Sequence, residues 1–255
     1  MEVHHHPHVE KKNFKQYFLE FLMIFFAVTL GFFAENIREN IANHQREKEY
    51  INSLLEDLRS DSAFLNTSIY TLIPYHVGWM DSIEHLLQMP DIKNKNREIY
   101  QAFITATAWT YDFHPTERTL SQLHSEGFYL IRNPEASKAI SNLEDQYKLL
   151  SPANTLFQNM QNDIDVAAYA FAEPNITGNL FAKGFKNNKI FTLQLADIPA
   201  TVSIKSTNED TLKIYIDKIK QYSFYLQAAI KADYINLSQE VTKTIDILKK
   251  EYNLQ

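Results

Sequence analysis

The chain has 255 residues, 45% of them hydrophobic, with a formal net charge of −6 and only 5 Gly, 8 Pro and no Cys. So much apolar content favours a folded chain over disorder. So few turn-formers disfavour a sandwich, a barrel or a doubly wound sheet, which leaves an all-α chain of one or two domains. Without Cys there is no disulfide, no thiolate-bound zinc, no iron–sulfur cluster and no thiol nucleophile, and the acidic balance disfavours a nucleic-acid partner, whose affinity comes from neutralising phosphates.

Residues 1–16 read as a short polar tail, with His4, His5, His6 and His8 packed into its HHHPH run. Four neutral imidazoles so close together are candidate ligands for a divalent transition metal. A flexible tail, however, has no neighbouring groups to orient the rings. A tail that gains positive charge on mild acidification, or one that binds a partner, fits equally well.

Tyr17–Ala34 (YFLEFLMIFFAVTLGFFA) is the one strongly apolar stretch, with Glu20 its single charge. As a helix it reaches about 27 Å, enough for a thin bilayer core. A cleaved signal peptide needs small residues before the cut, and Phe32 and Phe33 stand there instead. A buried soluble helix is disfavoured by five Phe in 13 residues. The reading adopted is an uncleaved signal anchor that crosses the membrane once. Three basic residues flank each side (Lys11, Lys12 and Lys15 against Arg38, Arg46 and Lys48), so the count does not set orientation. The closer N-terminal lysines and the Glu35 that opens the other side favour a cytoplasmic N-terminus with the large C-terminal part across the membrane.

Steps of three and four put Glu20, Ile24, Ala27, Gly31, Ala34 and Arg38 on one side of this helix. Ala27 and Gly31 form a small-xxx-small pair that lets two helices approach closely, and Glu20 shares their face. The face Glu20, Ala27 and Gly31 is therefore a candidate surface for a homo-oligomer or a membrane-protein partner. Alternatively, Glu20 snorkels to the headgroups and the small residues are ordinary.

Residues 35–73 continue the helical pattern as a mixed-charge stalk that Pro74 should kink or end, and 74–255 read as a helical bundle. Its expected helices are 75–89, 97–112 and 116–125, the last with Thr116 as cap and Gly127 as stop, then one from Pro134 to about Glu173, kinked or divided at Pro152. Residues 174–206 read as a loop with a possible short β-hairpin near 185–205, because FTLQLADIPATVSIKS alternates in places. Asn208 to about Tyr252 is a long helix whose apolar stripe reads as core or coiled-coil seam.

Little of this carries chemistry. Asp81 and His85 are four apart with Glu84 beside them and His76 nearby, but without a metal motif they read as structural or exposed. His114 and His124 bracket the short helix with no serine elbow, and no Walker loop or dinucleotide fingerprint occurs. The carboxylates of LLEDLRSD read as a solvent face with no acid–base role. No enzyme and no cofactor is expected, and most of the 14 Tyr and 17 Phe read as core.

The opening EVHHHPHVEKKNFKQYFLEFLMIFFAVTLGFFAENIREN, with EKEYINSLLEDLRSD after it, resembles a widespread bacterial family of uncharacterised single-span membrane proteins. So does PTERTLSQLHSEGFYLIRNPEASKAISNLEDQY, through Thr119, Leu123, Ser125, Gly127, Leu130, Ile131, Asn133, Ile140 and Tyr147. The resemblance covers roughly the first 60 residues and a central 30. It implies a membrane-anchored helical domain, in a bacterial inner membrane with its bulk periplasmic, and carries no activity. The expected function is a structural or interaction protein in a membrane complex. A sensor or ligand-binding module that signals through a partner is the alternative, and a hydrolase needs a tight Ser/His/Asp or Glu/His constellation.

Overall fold

The computed structural model describes residues 13–108, 113–185 and 191–254, so His4, His5, His6 and His8 lie outside the described residues. Helix α1 runs Phe14–Thr67, about 80 Å of continuous helix, and its start is fixed by a capping box between Asn13 and Gln16. A π-helical turn at Ser68–Leu72 joins it to α2 (Ile73–Leu87). After them come α3 (Asn96–Thr107), α4 (Arg118–Glu126), α5 (Pro134–Ala168) and α6 (Pro174–Gly184). Helix α7 (Glu209–Tyr225) runs through a second π turn, Leu226–Ile230, into α8 (Lys231–Tyr252).

The architecture is all-α, built on two antiparallel rods. The α7–α8 rod runs back along the α1–α2 rod, as three pairs show: Tyr252 with Glu47, Ser238 with Asn66, and Lys220 with Glu84. Helix α5 packs on α7 and α8, α3 on α2, α4 on α1, and α6 on α3. Along α1 the burial changes sharply. Apart from half-buried Leu22, the large apolar side chains from Phe14 to Ile41 are exposed, whereas Ile51, Leu54, Leu55, Leu58 and Leu65 are core. The stretch read as stalk is thus exposed only to Arg46, and the bundle begins within it, because α8 covers its second half.

Pro74 does not end the rod. In an α-helix its ring would clash with a carbonyl four residues back and leave that group unbonded. The wider π turn avoids this by shifting the ladder, so that the Ile73 N–H bonds Ser68 O, five residues earlier. Pro152 likewise leaves α5 undivided, and α5 stops at Ala168 rather than Glu173. Asn133 caps α5 through its Oδ1, which accepts the N–H groups of Glu135 and Ala136.

The possible hairpin near 185–205 is not confirmed: residues 174–184 are helical, no strand occurs among the described residues, and 186–190 lie outside them. The alternation was real, since Phe191, Leu193, Ile198 and Val202 are buried. The backbone bonds side chains of α3 instead of a partner strand. Gln101 Nε2 donates to Leu193 O (2.8 Å), Arg97 Nε donates to Ile198 O (3.1 Å), and Ile204 N donates to Asn96 Oδ1 (2.9 Å).

Candidate functional site

The buried stripe of α1 repeats as 47, 51, 54, 58, 61, 65, and two of its members are acids. Glu47, Asp57 and Asp61 are all 2–3% exposed. This corrects the solvent-face reading of LLEDLRSD for both of its aspartates. Glu47 and Asp61 fall in register with Ile51, Leu54, Leu58 and Leu65, a signal already present in the sequence.

A buried carboxylate costs several kcal/mol unless its oxygens are bonded, and each of these is. Asp57 accepts from Arg118 Nη2 (2.8 Å), Thr119 N (3.1 Å) and Thr119 Oγ1. Asp61 accepts from Thr116 N (3.1 Å), Thr116 Oγ1 (2.7 Å) and Tyr147 OH (2.8 Å). Glu47 accepts from Arg132 N (2.8 Å) and Tyr252 OH. Thr116 therefore binds α1 rather than capping α4, and Asp57 supplies the cap by accepting the Thr119 N–H. Burial, with the nearby acids, raises the phenols of Tyr147 and Tyr252 above their ordinary range, so both stay protonated donors.

The stretches 47–61 and 115–147 are the two halves of this clasp. Thr119 and Tyr147 hold Asp57 and Asp61, and Asn133 starts α5 while its Nδ2 donates to Glu251 Oε2 (2.9 Å). Gly127 turns the corner between α4 and the 3-10 turn Phe128–Leu130 at φ +110°, ψ +117°. Both torsions are open to Gly and strained for other residues, although the ψ is not that of a left-handed helix. With their oxygens occupied, the three acids pin the 113–133 segment to α1.

Two cavities flank this segment and share His114. The first, about 550 Å³, opens between α4 and α5. On its wall His124 Nε2 pairs with Glu144 Oε1, and the imidazole stacks on Phe128. Among the described residues no hydroxyl is hydrogen-bonded to His124. The second cavity, about 640 Å³, lies between α1, α3, α5 and α6, with Asp165 and Gln161 in an otherwise mainly apolar wall.

The other residues singled out in the sequence do not converge. His76 is buried in α2, its Nδ1 2.9 Å from Thr105 O. Asp81 and His85 are exposed, and Glu84 holds Lys220. Among the described residues no group of three or more His, Asp or Glu is arranged to hold a metal ion. Glu20, Ala27 and Gly31 share one side of the exposed part of α1. The α1–α2 rod is long and apolar enough near its N-terminus to cross a membrane. The protein is all-helical, with one such helix among the described residues. No protein family, no curated protein and no solved structure matches it.

Proposed function

We propose that this is a non-enzymatic, membrane-anchored interaction protein. Tyr17–Ala34 holds the helical bundle to the lipid bilayer of a bacterial inner membrane. The N-terminal tail is cytoplasmic and the bundle periplasmic, and the protein assembles as a homo-oligomer or as an accessory of a larger membrane complex. One observation carries this reading: a single unbroken helix is apolar and exposed at one end and core at the other. Thirteen large apolar side chains from Phe14 to Phe33 are each at least 52% exposed, a surface that water does not tolerate in a stable monomer. Lipid covers such a surface, and the absence of a break carries the anchor rigidly into the bundle.

Assembly is supported by Gly31. A Cβ there would meet nothing within 4 Å, so no contact inside the chain calls for glycine. Glycine within a helix costs about 1 kcal/mol relative to Ala, and close approach by a second helix against Ala27 and Gly31 offsets that cost.

Alkaline carbonate washing of membranes that contain the full-length chain is the test. The protein should stay in the pellet, and its release would refute the anchor. Protease added outside spheroplasts should digest the bundle, and protection would reverse the orientation.

A second reading, a ligand-binding module that signals through a partner, is favoured by the aromatic cavity around Asp165.

A further inference from the structure

The second half of α5 presents Gln161 and Asp165 one turn apart on the same face, toward the second cavity. Gln161 is 9% exposed, and its Nε2 donates to Thr107 O at 2.7 Å. That bond fixes the amide and leaves Oε1 buried with no hydrogen-bond partner. Asp165, half-buried, has no ion pair or hydrogen bond among the described residues, and no Lys or Arg lines the cavity among them. Burial alone pushes its carboxyl up to about 6. The titratable groups around it are His114 and Tyr169 on the wall and, behind it on α7, Tyr215 and Tyr222, whose hydroxyls are also unpartnered.

The opposite wall is aromatic: Phe64 of α1, Phe103 of α3 and Phe181 of α6. The carboxylate without a counter-ion, the orphaned amide oxygen and the ring faces are all electron-rich. An anion would be repelled, and a neutral apolar guest would leave both acceptors unpaired. A protonated amine meets all three needs, since it donates N–H bonds to both oxygens and sets its charge against the rings.

We propose that this cavity binds a protonated primary amine carrying an apolar body, with its ammonium held between Asp165 and Gln161 and its body against Phe64, Phe103 and Phe181. The inference rests on the ligand-binding reading and is independent of the anchor.

Isothermal titration calorimetry on the full-length protein in lipid nanodiscs tests it with four probes: phenethylamine, hexylamine, 3-phenylpropionate and 2-phenylethanol. Both amines should bind at about 10 mM or tighter, as expected for ligands of this size. The neutral isostere Asp165→Asn should weaken them at least ~10-fold, the effect of losing a charge-assisted pair, and it also corrects for amine that partitions into lipid. Phe181→Ala, on the half-exposed rim, should weaken them too and serves as the second variant if Asp165→Asn fails to fold. Equal amine binding by parent and Asp165→Asn would overturn the assignment. Preferential binding of 3-phenylpropionate or 2-phenylethanol would overturn it as well, while sparing a ligand-binding cavity. No binding by any of the four probes would sink both.

Discussion

Replacing His76 by Asn should flatten the acid limb of the stability curve. His76 is 1% exposed, its Nδ1–H donating to Thr105 O across the α2–α3 contact. Burial holds its imidazole down to about 4, against an ordinary 6.5. Above pH 6.5 the ring is neutral in both folded and unfolded chains, and there is no penalty. Between 6.5 and about 4 the unfolded chain takes up a proton that the folded one refuses, so stability falls. Below that both are protonated and the loss is complete. At ~1.4 kcal/mol per pH unit the interval is worth ~3 kcal/mol, or roughly 6–12 °C in Tm for a chain of this size. Asp165 acts in the opposite sense. Its carboxyl, raised from 3.8 to about 6, takes its proton first in the folded state, so stability rises as pH falls through that window. Because it is partly exposed, ~1–2 kcal/mol is the expected size after solvent screening. Thermal unfolding of the full-length protein in detergent, from pH 7.5 to 4, separates the two. His76→Asn lowers Tm at neutral pH for lost packing but has the shallower acid limb, and Asp165→Asn has the steeper one. A His76→Asn curve parallel to the parent would refute the buried neutral imidazole.

The remaining predictions concern the clasp and its corner. Gly127→Val should cost about 2 kcal/mol, because φ +110° suits only glycine and a Cβ there would lie 2.1 Å from the Tyr129 ring. Gly127→Ala should cost nearly as much, and a thermal melt in which Ala matches the parent would rule out backbone strain. Asp61→Ala should cost ~3–4 kcal/mol by orphaning the Thr116 N–H, the Thr116 hydroxyl and the Tyr147 hydroxyl. Tyr147→Phe should cost only ~1 kcal/mol, since Asp61 keeps its Thr116 bonds. In a double-mutant cycle the two should couple, and strict additivity in chemical denaturation would mean that the Tyr147–Asp61 bond contributes nothing.

The helical class, the apolar span and the Gly127 corner were legible because each rests on a local rule: periodicity, length, and a backbone angle few residues adopt. The errors share one cause, which is that tertiary partners decide what a local pattern means. Alternation at 191–202 signalled one buried face, yet a strand also needs a neighbouring strand, and side chains of α3 took that place. Pro74 signalled a kink or an end, and a single π turn carries the rod past it. Mixed charge at 56–61 signalled solvent, yet Asp57 and Asp61 meet donors 55–86 residues further on. The Asp165 cavity had no local signature, because its walls bring together residues from Phe64 of α1 to Phe185 beyond α6.

The continuity of α1 also makes a mechanical claim, and rotation tests it. If Ala27 and Gly31 form an assembly face and the bundle forms another, an uninterrupted helix fixes the angle between them. One Ala inserted between Glu35 and Asn36 turns the span by ~100° relative to the bundle, while seven residues return it to within ~20°. The site is fully exposed and disturbs only the Glu35–Arg38 pair, so folding of the bundle should be unaffected. Crosslinking in intact cells should then show the oligomer weakened by the one-residue insertion and restored by the seven-residue one. Gly31→Leu should weaken it regardless of phase, by blocking close helix approach. Equal crosslinking in both insertions would mean that the joint transmits no orientation, and the rigid-tether argument would fail even with the anchor intact.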